Sequence, residues 1–304
     1  DTPVELGPTH LIPGSQFNKG LTDEDKARLI PWEAKAGSVM VSHFDIGHAA
    51  GVSSVPKFRH MIKFIYLRAS EPTKPTWDSQ STEWKRPKQV QVPHDLELAW
   101  SHGWDWLCGK LNRYDSWQKM HSGVQDPVSK MIEGLSVEND LNKRLESAQL
   151  LASLGSGAAD AIDPLIEILD SDHQALRVVA IYTLGAIGKA AIEPLVNHLR
   201  AQGEREDANE KPTTWSEGAI AMGDAANALG AIGSEAVESL RGLLREGEGW
   251  ATINAAFALA EMDSAAAASV PDLVACLDSK SHRLVRTALD SLGSIRQDVP
   301  AKKL

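Results

Sequence analysis

The second half of the chain repeats a short motif at nearly regular intervals, and this repetition limits its fold more than any other feature. Segments such as LGAIGKAAIEPLVNHL (184–199) and LGAIGSEAVESLRGLL (229–244) place a glycine-containing turn between two apolar stretches. The leucines that mark successive units are 30, 45, 30 and 33 residues apart: Leu154, Leu184, Leu229, Leu259 and Leu292. Paired helices at this period are typical of an α-solenoid, in which each unit packs against its neighbours.

In most units an alanine precedes the marker leucine by four residues, the spacing that puts two side chains on one face of a helix. This register predicts six residues buried in helix seams: Ala180, Leu184, Ala225, Leu229, Ala255 and Leu259. The polar interval 201–215 predicts an inserted loop. The pattern resembles HEAT repeats of the short, alanine-rich bacterial kind. That resemblance implies an all-α solenoid over residues 139–304 with a protein partner; an ordinary helical bundle is the alternative.

Composition excludes several classes of protein. The formal net charge of −10 argues against general nucleic-acid binding, which requires a basic face. No apolar run reaches the length of a membrane span. The two cysteines, Cys108 and Cys276, lack the close spacing of a zinc or redox motif, so we expect a reducing, cytoplasmic setting. The chain starts at Asp1 and not at Met, and we expect its natural N terminus to lie upstream.

The first part of the chain has the alternation of a sheet. Strands are predicted at Thr9–Ile12, at GSVMVSHF (37–44) and at HMIKFIYLR (60–68), because apolar and polar residues alternate there. One helix is predicted over 22–30, with Thr22 as its N-cap and acidic residues in its first turn. A tryptophan-rich segment follows, in which Trp100, Trp104 and Trp106 stand at helical spacing and are expected to pack an extension helix onto the sheet domain.

The strand region also resembles a known family. GPTHLIPGSQ (7–16), AGSVMVSHFDIGH (36–48) and Arg59, eleven residues after His48, are similar to the C-terminal half of a phytanoyl-CoA dioxygenase-type domain. The resemblance implies part of a double-stranded β-helix (jelly-roll or cupin-like) over residues 1–70. With a linker over 71–138 and the solenoid over 139–304, the expected fold class is multidomain α+β.

This resemblance also implies a site. His48 would be the distal Fe(II) ligand, Arg59 would bind the 2-oxoglutarate carboxylate, and Ser53 would add a hydrogen bond. Two histidines and one carboxylate on one face of Fe(II) leave positions for 2-oxoglutarate and O₂. Arginine suits the co-substrate because its planar fork binds a carboxylate in a bidentate way. No catalytic residue is expected beyond this metal site.

The family's first two ligands form a His-x-Asp or His-x-Glu pair upstream of the GPTHLIPGSQ strand, and no histidine stands before Gly7. We therefore expect the chain to begin inside the domain and to bind Fe(II) weakly or not at all. The alternative is a local triad, since His43 and Asp45 would share one face of a strand. Otherwise His43, Asp45 and His10 are expected to line a pocket.

Two functions follow from these patterns. The first is an Fe(II)- and 2-oxoglutarate-dependent dioxygenase acting on a small molecule of unknown identity, truncated in this chain and therefore inactive alone. The second is a non-catalytic scaffold that binds a protein through its helical repeats. Neither nucleic acid nor a membrane is expected as a partner.

Overall fold

The structure is a computed structural model that describes residues 1–16, 22–66, 71–76, 78, 81–86, 88, 92, 94–209 and 222–295. The chain divides into two compact units. The first comprises residues 1–70 and 87–95, and the second comprises 71–86 and 96–304. The tryptophan-rich segment therefore belongs largely to the same unit as the repeats.

A small antiparallel sheet lies at the centre of the first unit. Its strands are β1 (Thr9–Leu11), β2 (Ile30–Pro31) and β3 (His48–Ala50), in the order β2-β1-β3. Helix α1 (Asp23–Ala27) begins at Thr22, whose hydroxyl accepts a hydrogen bond from the Asp25 N–H while the Asp25 carboxylate accepts one from the Thr22 N–H. The strand predicted near Thr9 and the helix predicted after Thr22 are thus confirmed.

The predicted partial double-stranded β-helix is wrong. The chain is mostly helical, and in the described residues its strands form one three-stranded sheet of very short strands. Residues 37–44 and 60–66 are not strands, and residues 67–68 lie outside the described part. A strand needs a neighbouring backbone to complete its hydrogen bonds. The outer strands β2 and β3 are only two and three residues long, and neither 37–44 nor 60–66 pairs with them, so the β-propensity of these segments is not completed by a ladder.

The Pro-Gly-Ser turn after β1 is tied to the entry of β3. The buried Ser15 hydroxyl accepts a hydrogen bond from the Gly47 N–H at 2.7 Å and donates one to the Ile12 carbonyl at 2.6 Å. The Ile12 N–H donates to the Gly47 carbonyl at 2.9 Å. Ile12 is fully buried, so this contact anchors His48 at the start of β3.

The second unit is a stack of helices. Before the repeats come α2 (Glu97–Leu107), α3 (Asp115–Met120) and α4 (Val128–Gly134). The repeat helices are α5 (Leu141–Ser153), α6 (Ile162–Ile168), α7 (Gln174–Ile187), α8 (Ile192–Asn209), α9 (Asp224–Ile232), α10 (Val237–Leu244), α11 (Trp250–Ala260), α12 (Val270–Ala275) and α13 (His282–Ile295). Short 3-10 turns join the two helices of each pair.

These helices form two layers in chain order. The first helices of successive pairs contact one another from α5 through α7, α9 and α11 to α13, and the second helices do so from α6 through α8 and α10 to α12. The six predicted seam residues are buried, as expected from the repeat register: Ala180, Leu184, Ala225, Leu229, Ala255 and Leu259. Each pair therefore buries its apolar face against its neighbours.

Two expectations about flanking segments are revised. Residues 201–209 of the predicted loop continue α8, and 210–215 lie outside the described residues. The tryptophans do stand on a helix, α2, and within the helical unit that helix contacts α3 and α7. The stretch Gln174–Asp207 is long and apolar enough to span a membrane, but 67% of its apolar window is buried inside the structure, as in a core helix.

Candidate functional site

The sheet register separates the two histidines nearest the predicted iron site. His48 lies opposite Leu11, and His10 lies opposite Ala49. Residues directly opposite each other project to the same face of a sheet, whereas adjacent residues project to opposite faces. His10 and His48 therefore project to opposite faces. His48 is exposed, with its Nδ1 atom 2.9 Å from the Ile46 carbonyl, and His10 is half-buried, with its Nδ1 atom 3.0 Å from the Pro8 carbonyl.

His43 and Asp45 form a surface turn and not a strand. The Asp45 N–H donates to His43 Nδ1 at 3.2 Å, and that nitrogen lies 3.7 Å from an Asp45 carboxylate oxygen. Both side chains are well exposed. His43 and Asp45 are therefore brought together by a turn and not by a shared face of a strand.

Arg59 and Ser53 are not brought to a common pocket. The exposed Ser53 hydroxyl donates to the carbonyls of Val55 at 2.9 Å and Glu5 at 3.3 Å, which fixes a turn beside the N terminus. Arg59 is half-buried. Across the described residues, no three His, Cys, Asp or Glu side chains are placed to share a metal ion. The residues present therefore do not fit a facial Fe(II) triad.

A larger concavity lies in the helical unit, at the ends of the repeats. This cleft encloses about 1040 Å³. Its floor consists of the turns that join the helices of successive pairs, and its wall is the loop between α2 and α3; the lining includes 109–114, 155–156, 185–190, 230–235, Met262 and 264–265. Lys110, Arg113 and Lys189 contribute positive charge to the lining, and Glu71 and Glu235 contribute negative charge.

The floor turns depend on glycine. Gly188 and Gly233 follow α7 and α9 with φ of 77° and 83°, values that residues with a Cβ adopt at a steric cost. These are the second glycines of the two GAIG motifs, so the repeat seen in the sequence builds the repeated floor.

A buried carboxylate holds the wall. Asp105 on α2 is fully buried and accepts hydrogen bonds from the Ser116 N–H at 2.8 Å, the Ser116 hydroxyl at 2.6 Å and the Lys110 ammonium at 2.8 Å. Lys110 also donates to the Ser116 hydroxyl at 2.9 Å. A buried charge is tolerated when it is paired and hydrogen-bonded in this way. The Asp105 network therefore joins the end of α2 to the start of α3 and sets the shape of the loop between them.

Gly109 and Glu71 hold the outer side of the wall. A Cβ at Gly109 would lie 2.3 Å from the backbone carbon of Thr73, and its φ is 73°, so the close approach requires glycine. The Glu71 carboxylate accepts a hydrogen bond from the Trp106 indole N–H at 2.6 Å and lies 3.5 Å from the Arg113 guanidinium. Leu111, at the rim, is fully exposed.

Tyr114 connects the cleft wall to the repeat helices. Its hydroxyl donates to the Ala231 carbonyl at 3.3 Å, and a Cβ at Gly185 would lie 2.0 Å from that hydroxyl oxygen. Burial raises the pKa of Tyr114 well above its ordinary value, and the neighbouring Tyr182 raises it further. Burial also raises the pKa of Tyr182 to about 12. Both tyrosines are therefore neutral and act as packing groups.

His102 is buried between these two tyrosine rings, with centroid distances of 4.9 Å to Tyr114 and 4.8 Å to Tyr182. Its Nε2 atom is buried without a hydrogen-bond partner in the described structure. Burial lowers the pKa of His102 to about 3, and the Arg113 charge contributes in the same direction. The imidazole is therefore neutral at physiological pH.

Sequence reasoning assigned no role to the loop 108–114, to Asp105 or to Tyr114. The signal available was modest: a Gly-Lys pair after the tryptophan helix and glycines at equivalent positions of two repeats. Contacts distant in sequence, such as Tyr114 with Ala231, leave no local pattern.

Comparisons with known proteins give little further information. No protein-family model matches the chain, and no curated protein does. Two crystal structures of engineered proteins are among the similar solved structures. One is 19% identical, with a TM-score of 0.25, over 60% of this chain and 90% of its own. The other is 22% identical, with a TM-score of 0.26, over 61% of this chain and 54% of its own. Scores this low carry no argument about fold or function.

Proposed function

We propose that the helical unit is a binding scaffold whose cleft receives an extended segment of a partner protein. The observation that carries this proposal is the position of the cleft, which crosses the turns of successive helix pairs and does not lie within one pair. Packed helices are about 8–10 Å apart, so four such turns span roughly 30 Å, the length of about eight or nine extended residues.

The lining suits a polypeptide. Half-buried Ile232 and exposed Ala190 lie beside charged groups of both signs, a mixture that resembles the composition of non-obligate protein interfaces. Leu111 adds a large apolar side chain that is fully exposed on a wall held by buried hydrogen bonds. Because these hydrogen bonds hold the loop, a partner that covers Leu111 has little loop backbone to order.

Photo-crosslinking tests this function in the full chain. A benzophenone amino acid replaces Leu111 at the cleft rim, and a matched control replaces Val137, which is also apolar and 82% exposed but does not line the cleft. We expect the Leu111 probe, in cells that produce the protein, to label one contiguous segment of a partner. The Val137 probe should not label that segment.

A blocking variant separates specific binding from chance labelling. Ala186→Trp places a bulky side chain on the cleft floor, and its melting temperature shows whether the fold is kept. Labelling at Leu111 should be lost in the folded variant. Labelling that persists unchanged with the floor blocked, or that is equal at Val137, would contradict the proposal.

The dioxygenase function stays a prediction of the sequence resemblance. The described residues do not fit its iron triad, so no step of that reaction is derived from them.

A further inference from the structure

A second feature, in the first unit and independent of the cleft, is an exposed apolar segment at residues 58–66. Phe58, Ile62, Phe64 and Tyr66 are 92%, 79%, 72% and 88% exposed. Met61 and Ile65 are also exposed. At about 100–200 Å² each, the first four side chains together present roughly 500 Å² of largely apolar surface. This area lies in the upper part of the ~300–600 Å² range of the largest apolar patch on a typical monomer, and such patches often serve interactions.

The backbone of this segment is also unpaired within the described chain. No helix or strand covers residues 58–66, and no backbone–backbone hydrogen bond joins them to another described residue. Their composition nevertheless favours a strand, because aromatic and β-branched residues dominate. Unpaired backbone in such a sequence is a template for pairing with another strand. A lipid surface would not supply those hydrogen bonds, so the segment fits a polypeptide partner.

The side chains follow the alternation of a strand. The rings of Phe64 and Tyr66 lie 6.4 Å apart, which places these two residues on one side of the segment. In an extended strand Phe58, His60 and Ile62 would lie on that same side. This side is then entirely aromatic or aliphatic except for one imidazole.

The opposite side carries the positive charges. It consists of Arg59, Met61, Lys63 and Ile65, and the sequence has no acidic residue between Asp45 and Glu71. Two copies of the segment paired antiparallel about Ile62 would set Arg59 opposite Ile65 and Lys63 opposite Met61. No two positively charged side chains would be directly opposite, so the pairing avoids the repulsion that like charges cause in a ladder.

On the apolar side the same register is self-complementary. Phe58 would lie opposite Tyr66, His60 opposite Phe64, and Ile62 opposite its own copy. Cross-strand aromatic pairs are among those that stabilise antiparallel sheets.

We propose that residues 58–66 are a dimerisation segment, in which two copies of the chain pair as antiparallel strands about a two-fold axis at Ile62. The arrangement is isologous and closes at two copies. Each strand would complete the backbone hydrogen bonds of the other, and its side chains would contact the cross-strand neighbours on the same face.

Sedimentation velocity of the full chain tests the assembly. We expect a concentration-dependent monomer–dimer equilibrium. Ile62→Arg brings two positive charges together on the axis and should shift the chain to monomer. Val39→Arg is the matched control, because Val39 is an exposed apolar residue of the same unit outside the segment. It should leave the dimer unchanged. A monomer at every concentration, or a ladder of larger species, would overturn the proposal.

Disulfide trapping with copper–phenanthroline as oxidant tests the register. Both native cysteines are buried and free, so an added exposed cysteine can be followed alone. Ile62→Cys should crosslink to itself. Phe58→Cys should crosslink to Tyr66→Cys when the two variants are mixed, and neither should crosslink efficiently alone. Self-crosslinking of Phe58→Cys at the rate of Ile62→Cys would show a parallel or unspecific contact and refute the register.

Discussion

The neutral histidine at the base of the cleft wall gives the sharpest prediction. His102 has a pKa of about 3 in the folded chain, lowered first by burial and then by Arg113, against 6.5 for the free side chain. The unfolded chain therefore binds a proton in the range between these values while the folded chain does not. The contribution of neutral His102 to the free energy of unfolding is complete above about pH 6.5 and is lost as the pH falls toward 3.

The size of the effect follows from the two pKa values. Between pH 7 and pH 5 the unfolded histidine becomes almost fully protonated while the folded one stays neutral, and the free energy of unfolding falls by about 2 kcal/mol. With an m-value of about 2 kcal/mol/M in urea, the unfolding midpoint of the helical unit moves down by roughly 1 M.

Urea unfolding followed by circular dichroism at 222 nm, at pH 7 and pH 5 and equal ionic strength, measures this shift. His102→Phe keeps an aromatic ring between the two tyrosines and should abolish most of the pH difference. His173→Gln removes an exposed histidine of the same unit and should keep it. If His102→Phe loses stability between pH 7 and pH 5 as steeply as the wild type, the buried imidazole is not the group responsible and the reasoning fails.

Three further predictions concern packing and metal binding. Gly185→Ala should destabilise the helical unit by about 1–3 kcal/mol in thermal melts because its Cβ would overlap the tyrosine hydroxyl above it, whereas Gly242→Ala, which meets open space on α10, should stabilise by about 0.5–1 kcal/mol. If both substitutions destabilised the unit, or both stabilised it, the close packing described at Gly185 would be contradicted. Ala225→Arg should cost about 4 kcal/mol or more because it buries an unpaired charge, while Ala201→Arg, exposed on α8, should be near neutral by the same assay. Anaerobic equilibrium dialysis should show no tight stoichiometric Fe(II) binding; tight binding lost in His48→Ala would restore the iron site.

The helical stack was predictable because its determinants are local. Ala225 and Leu229 are four residues apart, a separation that places them on one face of a helix. Neighbouring units repeat this spacing, so the residues buried in one helix seam predict those buried in the next. The prediction of a loop over 201–215 is wrong at its start, and the reason is also local. Residues 201–209 extend α8, because their glutamate and arginine side chains are good helix formers that do not require burial.

The first unit was less predictable because strands depend on partners. The alternation of residues 37–44 and 60–68 predicts strands, but neither 37–44 nor the described residues 60–66 forms one, because propensity becomes a strand only when another backbone completes the ladder. Thr9–Leu11 has such partners and forms β1; residues 58–66 have none within the described chain and do not. His48 as an iron ligand stays a prediction of the sequence resemblance, and the face to which it projects depends on strand register, which only the structure supplies.

Glycines at equivalent positions of two repeats have different surroundings in the structure. Gly185 and Gly230 occupy the same position in two successive units, and the sequence treats them alike. In the structure a Cβ at Gly185 would meet the Tyr114 hydroxyl at 2.0 Å, whereas at Gly230 it would meet Glu261 Cβ at 3.3 Å. A contact of 3.3 Å is relieved by a small shift of one side chain, but a contact of 2.0 Å displaces the tyrosine and the wall that it anchors. Glycine at the first site therefore serves the cleft wall in addition to the packing against Ala231 of the next unit, and glycine at the second serves the packing between neighbouring units. The two alanine substitutions should differ accordingly, with only the first releasing the loop that carries Leu111.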